Sequence, residues 1–260
     1  MADTFVRYER ADSVGYIVLN RPPANSYEIE FMRHLNTAID QANEDERSKI
    51  IVVKSALEKF FSAGADIKAF AANSTADNMR MVEVAHQALA KIPKSPKIFI
   101  AAIHGHALGG GLEIALACDL RLAASGNYRI GLPEVTLGLL PGNGGTQRLS
   151  RLIGANKALE LMITGQTLSP EEAEKVGIVN KTFPADSFMD EVEAYVKNLA
   201  AGATKAISYI KKAVYDGIAM HIDTAMELER NLIAELFDSE DAKEGLKAFV
   251  EKRKPTFQGK

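Results

Sequence analysis

The chain is poor in the residues that carry several common chemistries. Its 260 residues include one cysteine, Cys118, and no tryptophan. A single thiol closes no intrachain disulfide, and Cys118 ends an apolar run, Ala115-Leu116-Ala117-Cys118, so it reads as a small buried hydrophobe rather than a nucleophile. Neither sign of charge dominates. Thirty-one basic residues face 34 acidic ones for a net charge of -3, which gives no whole-protein attraction for nucleic acid or an anionic membrane. No apolar stretch approaches the length of a membrane span, and residues 1–9 carry neither an apolar signal core nor an acid-poor Arg/Ser-rich leader. The expected setting is cytoplasmic, with neither nucleic acid nor membrane as a partner. There is also no H-E-x-x-H, no Cys/His cluster and no acidic cation loop, and Gly105, Gly109, Gly110 and Gly111 spell neither G-x-G-x-x-G nor a P-loop. Neither a metal nor a nucleotide cofactor is expected.

What is present is an ordinary globular balance, 47% hydrophobic and 25% charged, enough for one sizeable core and an appendage. Strand and helix signals alternate. Residues 5–8 and 16–19 flank a charged turn and read as a hairpin. Asn25, three residues before Glu28, reads as a helix cap, and Ile29, Met32, Leu35, Ile39 and Ala42 mark one helical face. A buried strand is expected at residues 50–53, a glycine-bearing loop at 60–67, a mobile loop at 74–78, a helix at 79–90 and strands at 98–103, 120–122 and 128–130. The order is that of an α/β fold. Ser169-Pro170-Glu171-Glu172 combines a capping serine, a proline at the first helical position and a following acid, a structural helix start. From residue 187 to 251 the pattern is helical, broken near Gly202 and Gly217.

The stretch from Ile98 to Arg148 carries the chemistry. An apolar run breaks into Gly109-Gly110-Gly111, and two glutamates follow in apolar settings: Glu113 between Leu112 and Ile114, and Glu134 between Pro133 and Val135. Buried carboxylates need partners or a raised pKa, which is how general acids and bases arise. Consecutive glycines before a helix leave free N–H groups at its positive end, where a developing oxyanion is stabilised. One glycine there would mean only a tight turn. Three in a row, followed by an apolar-flanked glutamate, favour the chemical reading.

The runs Ala63-Gly64-Ala65-Asp66, Gly109-Gly110-Gly111-Leu112-Glu113, Cys118-Asp119, Pro133-Glu134 and Pro141-Gly142-Asn143-Gly144-Gly145-Thr146-Gln147-Arg148 resemble the enoyl-CoA hydratase (crotonase) family over nearly the whole chain. The resemblance implies a spiral core of repeated ββα units over residues 1–195 and a C-terminal helical trimerisation region over 196–260. It implies a homotrimer or homohexamer acting on an acyl-CoA thioester without a separate cofactor. The backbone N–H groups of Ala65 and Gly110 would hold the thioester carbonyl. Glu113 would deprotonate the attacking water, Glu134 would protonate the α-carbon, and Gly142 would position the water. Ala24, Asn25, Ser26, Ala63, Asp66 and Ile67 would follow the segments that hold coenzyme A.

Paired glutamates point to hydration of a 2-enoyl-CoA, in fatty-acid or related acyl-CoA degradation. A double-bond isomerase or another specialised member is the alternative within the family, and a crotonase-like RNA-binding protein the alternative outside catalysis. For RNA, Lys205, Lys211 and Lys212 look like a solvated face rather than a binding stripe. Asn143 stands where relatives often carry a small residue and reads as a cap for the next helix. Phe70 reads as core in preference to a wall narrowing the acyl pocket, and Asp66, Asp119 and Arg148 as braces of loops or subunit contacts rather than as chemical groups. His86, His104 and His106 read as ordinary structural histidines.

Overall fold

A computed structural model describes residues 4–260, and in it an opening hairpin is followed by strands that leave the chain in pairs, one for each of two sheets. An antiparallel hairpin, β1 (Val6–Ala11) and β2 (Val14–Leu19), is followed by α1 (Ile29–Glu44). Then come β3 (Ile50–Ser55), β4 (Phe60–Ser62), α2 (Ile67–Ala72), α3 (Thr75–Leu89) and α4 (Lys91–Lys94). The motif repeats as β5 (Ile98–Ile103), β6 (His106–Leu108) and α5 (Gly110–Ala117). It repeats again as β7 (Leu120–Ala124), β8 (Ile130–Gly131), a 3-10 turn at Glu134–Leu137, α6 (Gly145–Ile153) and α7 (Ala155–Thr164). After β9 (Thr167–Leu168), α8 (Pro170–Lys175) and β10 (Lys181–Phe183), the chain ends in α9 (Phe188–Ala200), α10 (Thr204–Gly217), α11 (Ile222–Phe237) and α12 (Glu240–Val250).

The larger sheet has the order β1-β2-β3-β5-β7-β10 and is parallel apart from the β1–β2 hairpin. Its inner strands β2, β3 and β5 are apolar almost throughout because both faces are covered, whereas the edge strand β1 alternates. Side chains alternate across it: Ile17, Leu19, Ile51, Val53, Ala101 and Ile103 join the main core with α1 and α5. Tyr16, Val18, Val52, Ile100 and Leu122 face the other way, onto Phe188, Val192 and Val196 of α9. The smaller sheet, β4-β6-β8-β9, takes the second strand of the β3/β4, β5/β6 and β7/β8 pairs and is closed by β9. The expected ββα spiral is therefore the observed path.

Several local expectations need correction. Residues 60–67 are not all loop, since β4 and the first residue of α2 lie within them. Residues 74–78 are not a loop either: the Ser74 hydroxyl accepts from Asp77 N and starts α3. Residue 128 is outside β8, and the Tyr128 hydroxyl instead donates to main-chain oxygens in the core, 2.6 Å from Ala124 O and 2.9 Å from Ile103 O. The boundary expected at 195/196 falls inside α9, which packs on the sheet; the first break in the helical tail comes after it, at Gly202. A further break after Phe237, where Ser239 caps α12, makes that tail four helices. The capping box expected at Ser169 is present.

Candidate active site

The smaller sheet assembles the site. Strands β4, β6 and β8 are parallel, with Ser62 opposite Ala107 and Leu108 opposite Gly131, so their carboxyl ends emerge side by side at a spacing of roughly 5 Å. Ala63 to Asp66 leave β4, the glycine run and Glu113 follow β6, and Pro133-Glu134 follow β8. Crevices beyond the carboxyl ends of parallel strands are where open α/β sheets bind ligands. Here a cavity of about 540 Å³ is lined by Ala63, Ala65, Ile67, Gly110, Glu113, Glu134, Gly142 and Asn143.

Two main-chain donors border that cavity. Tyr27 and Ala65 form a parallel bridge that uses Tyr27 N to Gly64 O and Asp66 N to Tyr27 O, both 2.9 Å, so the N–H of Ala65 itself lies outside the bridge. Gly110 opens α5, where the first N–H groups have no intrahelical acceptor. The preceding Gly109 adopts φ +53, the left-handed region that a side chain disfavours, and this bend turns β6 into the helix. The two loops touch, for a Cβ on Gly64 would lie 3.1 Å from Gly110 N.

Both glutamates reach the same space by different routes. Glu113 sits in the first turn of α5 and is only 1% exposed. Its Oε1 accepts from Asn143 N and Gly145 N, each at 2.7 Å. Burial pushes its carboxyl up from the ordinary value, while those two N–H groups and then Arg148 pull the other way. Glu134 opens the 3-10 turn with its Oε2 buried and unpartnered among the described residues. Burial pushes it to about 7; its own N–H opposes this, and the charge of Glu113 adds to it. One carboxylate has hydrogen bonds that favour its charged form; the other has almost none. That asymmetry suits a base and an acid working together.

The remaining candidates divide. Gly142 lines the cavity, and its carbonyl accepts from His86 Nε2 at 2.7 Å. Ala63 and Ile67 also line it, whereas Ala24, Asn25, Ser26 and Asp66 do not. Asn25 is no helix cap: Glu28 holds that position. Nor does its side chain offer a contact to coenzyme A, since it is fully buried and ties Arg21 N, Ser55 Oγ and Phe61 O together at 2.6 to 2.9 Å. Ala24 O holds Ala63 N at 2.9 Å, and Ser26 O accepts from the Arg21 guanidinium. Asp66 caps α2 through Lys68 N and Ala69 N and pairs with Arg21; the Ala69 N–H foremost, with Arg21 and Lys68 N behind it, holds its carboxyl below the usual value. These four positions brace the loop that carries Ala65.

Asn143 does not cap α6, whose cap is Gly144. Its amide instead donates to the Tyr27 hydroxyl at 2.5 Å. The brace expected of Arg148 is present, Nη1 donating to Asn143 O at 2.7 Å. Phe70, expected as plain core, lines the cavity. Lys211 is not on a solvated face: it is buried, and its Nζ meets Asp119 Oδ2 at 2.8 Å. Cys118 is buried as expected, its thiol pushed up to about 12 by burial. Tyr27 is a polar cavity residue that the sequence does not mark. As one aromatic beside a helix start it carries no periodic or motif signal.

Comparison with known proteins agrees with this geometry. The enoyl-CoA hydratase/isomerase family matches residues 9–260. The short-chain-enoyl-CoA hydratase of Clostridium acetobutylicum is 36% identical over 95% of this chain and 94% of its own. The crotonyl-CoA hydratase of Syntrophomonas wolfei is 36% identical over the full length of both. Among solved structures, the enoyl-CoA hydratase of Bacillus anthracis superposes with a TM-score of 0.93 at 35% identity, covering 98% of this chain and all of that one. With the match running from β1 to the last helix, the chain belongs to the enoyl-CoA hydratase/isomerase family.

Proposed function

We propose that this protein is an enoyl-CoA hydratase, a hydro-lyase that adds water reversibly to a trans-2-enoyl-CoA to give the 3-hydroxyacyl-CoA. The observation that carries the reading is the pair Glu113 and Glu134 on one cavity with the Ala65 and Gly110 main chain. An α,β-unsaturated thioester is a weak electrophile at its β-carbon until its carbonyl oxygen can accept charge. The N–H groups of Ala65 and Gly110 donate to that oxygen and stabilise its developing charge, strengthened by the start of α5. Glu113, whose charged form the Asn143 and Gly145 N–H groups favour against the effect of burial, takes a proton from water as the oxygen adds to the β-carbon. Glu134, whose proton persists to about pH 7, delivers it to the α-carbon as the enolate collapses. The proton gained by Glu113 is restored to Glu134 before the next turnover, so the net change is the addition of one water; no electrons are gained or lost, and no cofactor beyond the coenzyme A of the substrate is required. Names among the relatives, a short-chain-enoyl-CoA and a crotonyl-CoA hydratase, support the substrate class.

The same reading places the enzyme in the cytoplasm, in fatty-acid or related acyl-CoA degradation, as a homotrimer or homohexamer. Support for assembly comes from apolar side chains left open on the helical tail, among them Ile210, Ile218, Ile222, Phe237 and Phe249, too many for a tail that stays solvated. No helix among the described residues is long and apolar enough to cross a membrane. The test of activity is crotonyl-CoA hydration, followed by loss of the conjugated absorbance with the product identified. A 3-hydroxybutyryl thioester is expected; no turnover, or a shifted double bond without added water, would overturn the reading.

A further inference from the structure

Tyr27 meets the main chain beside both proposed donors, Ala65 and Gly110, and is one residue removed from Glu113. Its main chain forms the bridge to Ala65, with Gly64 O and Asp66 N as partners. Its hydroxyl lies so close to Gly110 that a Cβ there would be 1.6 Å from Oη. The same hydroxyl accepts from Asn143 Nδ2, and Asn143 N donates to Glu113 Oε1. Tyr27 is 2% exposed and Asn143 4%, so neither bond competes with bulk water. Asn143 is further held by Arg148 on its carbonyl, and its Oδ1 has no partner among the described residues. The residue thus has one rotamer-fixing bond, to Tyr27, and turns the adjacent N–H onto the carboxylate.

We propose that Tyr27 is a positioning residue for the hydration reaction, its hydroxyl acting through Asn143 to fix the Glu113 carboxylate relative to the main-chain donors at Ala65 and Gly110. This rests on the hydratase reading. Three loops leave three different strands, joined at their bases by main-chain bonds such as Gly109 N to Gly131 O at 2.9 Å, and further out the Glu113 carboxylate has still to be held against the main-chain donors to the tolerance catalysis needs. Buried, fully oriented side chains supply that kind of support, and a misplacement near 1 Å costs on the order of 100-fold in rate. An apolar residue of similar size at position 27 would fill the same space and leave Asn143 free to turn. Glu113 would then lose part of one N–H bond that favours its charged form. Arg148, Glu134 and the Tyr27 phenol are the other titratable groups that bear on this cluster.

The test is a cycle of Tyr27→Phe, Asn143→Ala and the double variant in the full-length protein, assayed with crotonyl-CoA across pH. Tyr27→Phe keeps the ring and removes the hydroxyl, and should lower kcat by roughly 5- to 50-fold with little change in KM. The acid limb of kcat/KM should move to higher pH, because a Glu113 with weaker N–H support gives up its proton later. The double variant should be no worse than the poorer single, the mark of two groups in one path. A Tyr27→Phe enzyme within about twofold of wild type with its acid limb in place, or losses that multiply in the double variant, overturns the proposal. Asn143→Ala leaves the Tyr27 ring packing untouched and probes the same path should Tyr27→Phe melt below assay temperature; an unmoved acid limb in that variant overturns the proposal equally. Wild-type inactivity toward crotonyl-CoA would instead remove the hydratase reading, so the two failures are separable.

Discussion

Glu113 and Glu134 differ in what their surroundings allow, and the difference makes predictions for each. Replacing either with glutamine keeps shape and removes the proton-transfer group, so each variant should hydrate crotonyl-CoA roughly 10² to 10⁴-fold more slowly while still folding and binding the thioester. Steady-state kinetics with a binding assay checks this. Glu134 also makes the fold depend on pH. Its carboxyl rises from an ordinary 4.5 to about 7 on folding. Below the lower value both states hold the proton; between the two only the folded state does, so stability falls as pH rises, and above about 7 the cost of the buried charge is complete. Glu134→Gln removes that cost. Its gain in melting temperature over wild type should grow from about pH 5 to about pH 8, and a gain that is constant or reversed would show that Glu134 is not desolvated in the folded protein. Apolar neighbours in sequence mark both glutamates. They give no hint that Asn143 and Gly145 hold one of them, because those donors lie 30 and 32 residues away in the chain.

The start of α5 is the element on which the site depends most. Gly109 makes the bend and Gly110 makes room, so even alanine at 110 puts a methyl group on the Tyr27 hydroxyl. Gly110→Ala should cost about 1–3 kcal/mol by overpacking, read as a lower melting temperature. It should also erase the low-frequency shift of the thioester carbonyl expected when an enoyl-CoA binds Glu113→Gln protein, measured by difference infrared spectroscopy. A carbonyl band like that of free ligand with Gly110 intact would place the oxyanion donors elsewhere. The glycine run is legible as a strand-to-helix turn because three adjacent glycines are a strong local signal. The smaller sheet is not. Its strands are two or three residues long, too short for a period of two to show, and they form because larger elements bring them together.

At the scale of the whole molecule, the helical tail is fastened to the core by a buried ion pair. Lys211 of α10 reaches Asp119 at the foot of β7 and also donates to Ile92 O and Lys97 O, both at 2.8 Å. Asp119→Ala leaves that ammonium buried without its counter-ion, and should destabilise the chain by about 3–5 kcal/mol in a denaturant titration. The outward faces of α10 to α12 remain apolar, and light scattering at micromolar concentration should report a trimer or hexamer. A monomer would contradict the assembly. Lys211 looks like one of a solvated row in the sequence for a simple reason: on a helix, sequence shows the spacing of charges but not which neighbour covers the face.

The sequence by itself determined the alternation of strands and helices, the glycine turn before Glu113, the apolar settings of both glutamates and the motif order that resembles the family. Each of these is a local signal, carried by propensity, periodicity or adjacent residues. Tertiary structure alone decided that β4, β6 and β8 run side by side, which places Ala65, Gly110 and Glu134 around one cavity. It also decided that Asn25 faces inward, that Asn143 serves Tyr27 rather than a helix end, and that Lys211 is buried. The Asn25 and Asn143 contacts join residues 30 and 116 positions apart. Such contacts cost chain entropy and form only when the whole core buries its apolar surface at once.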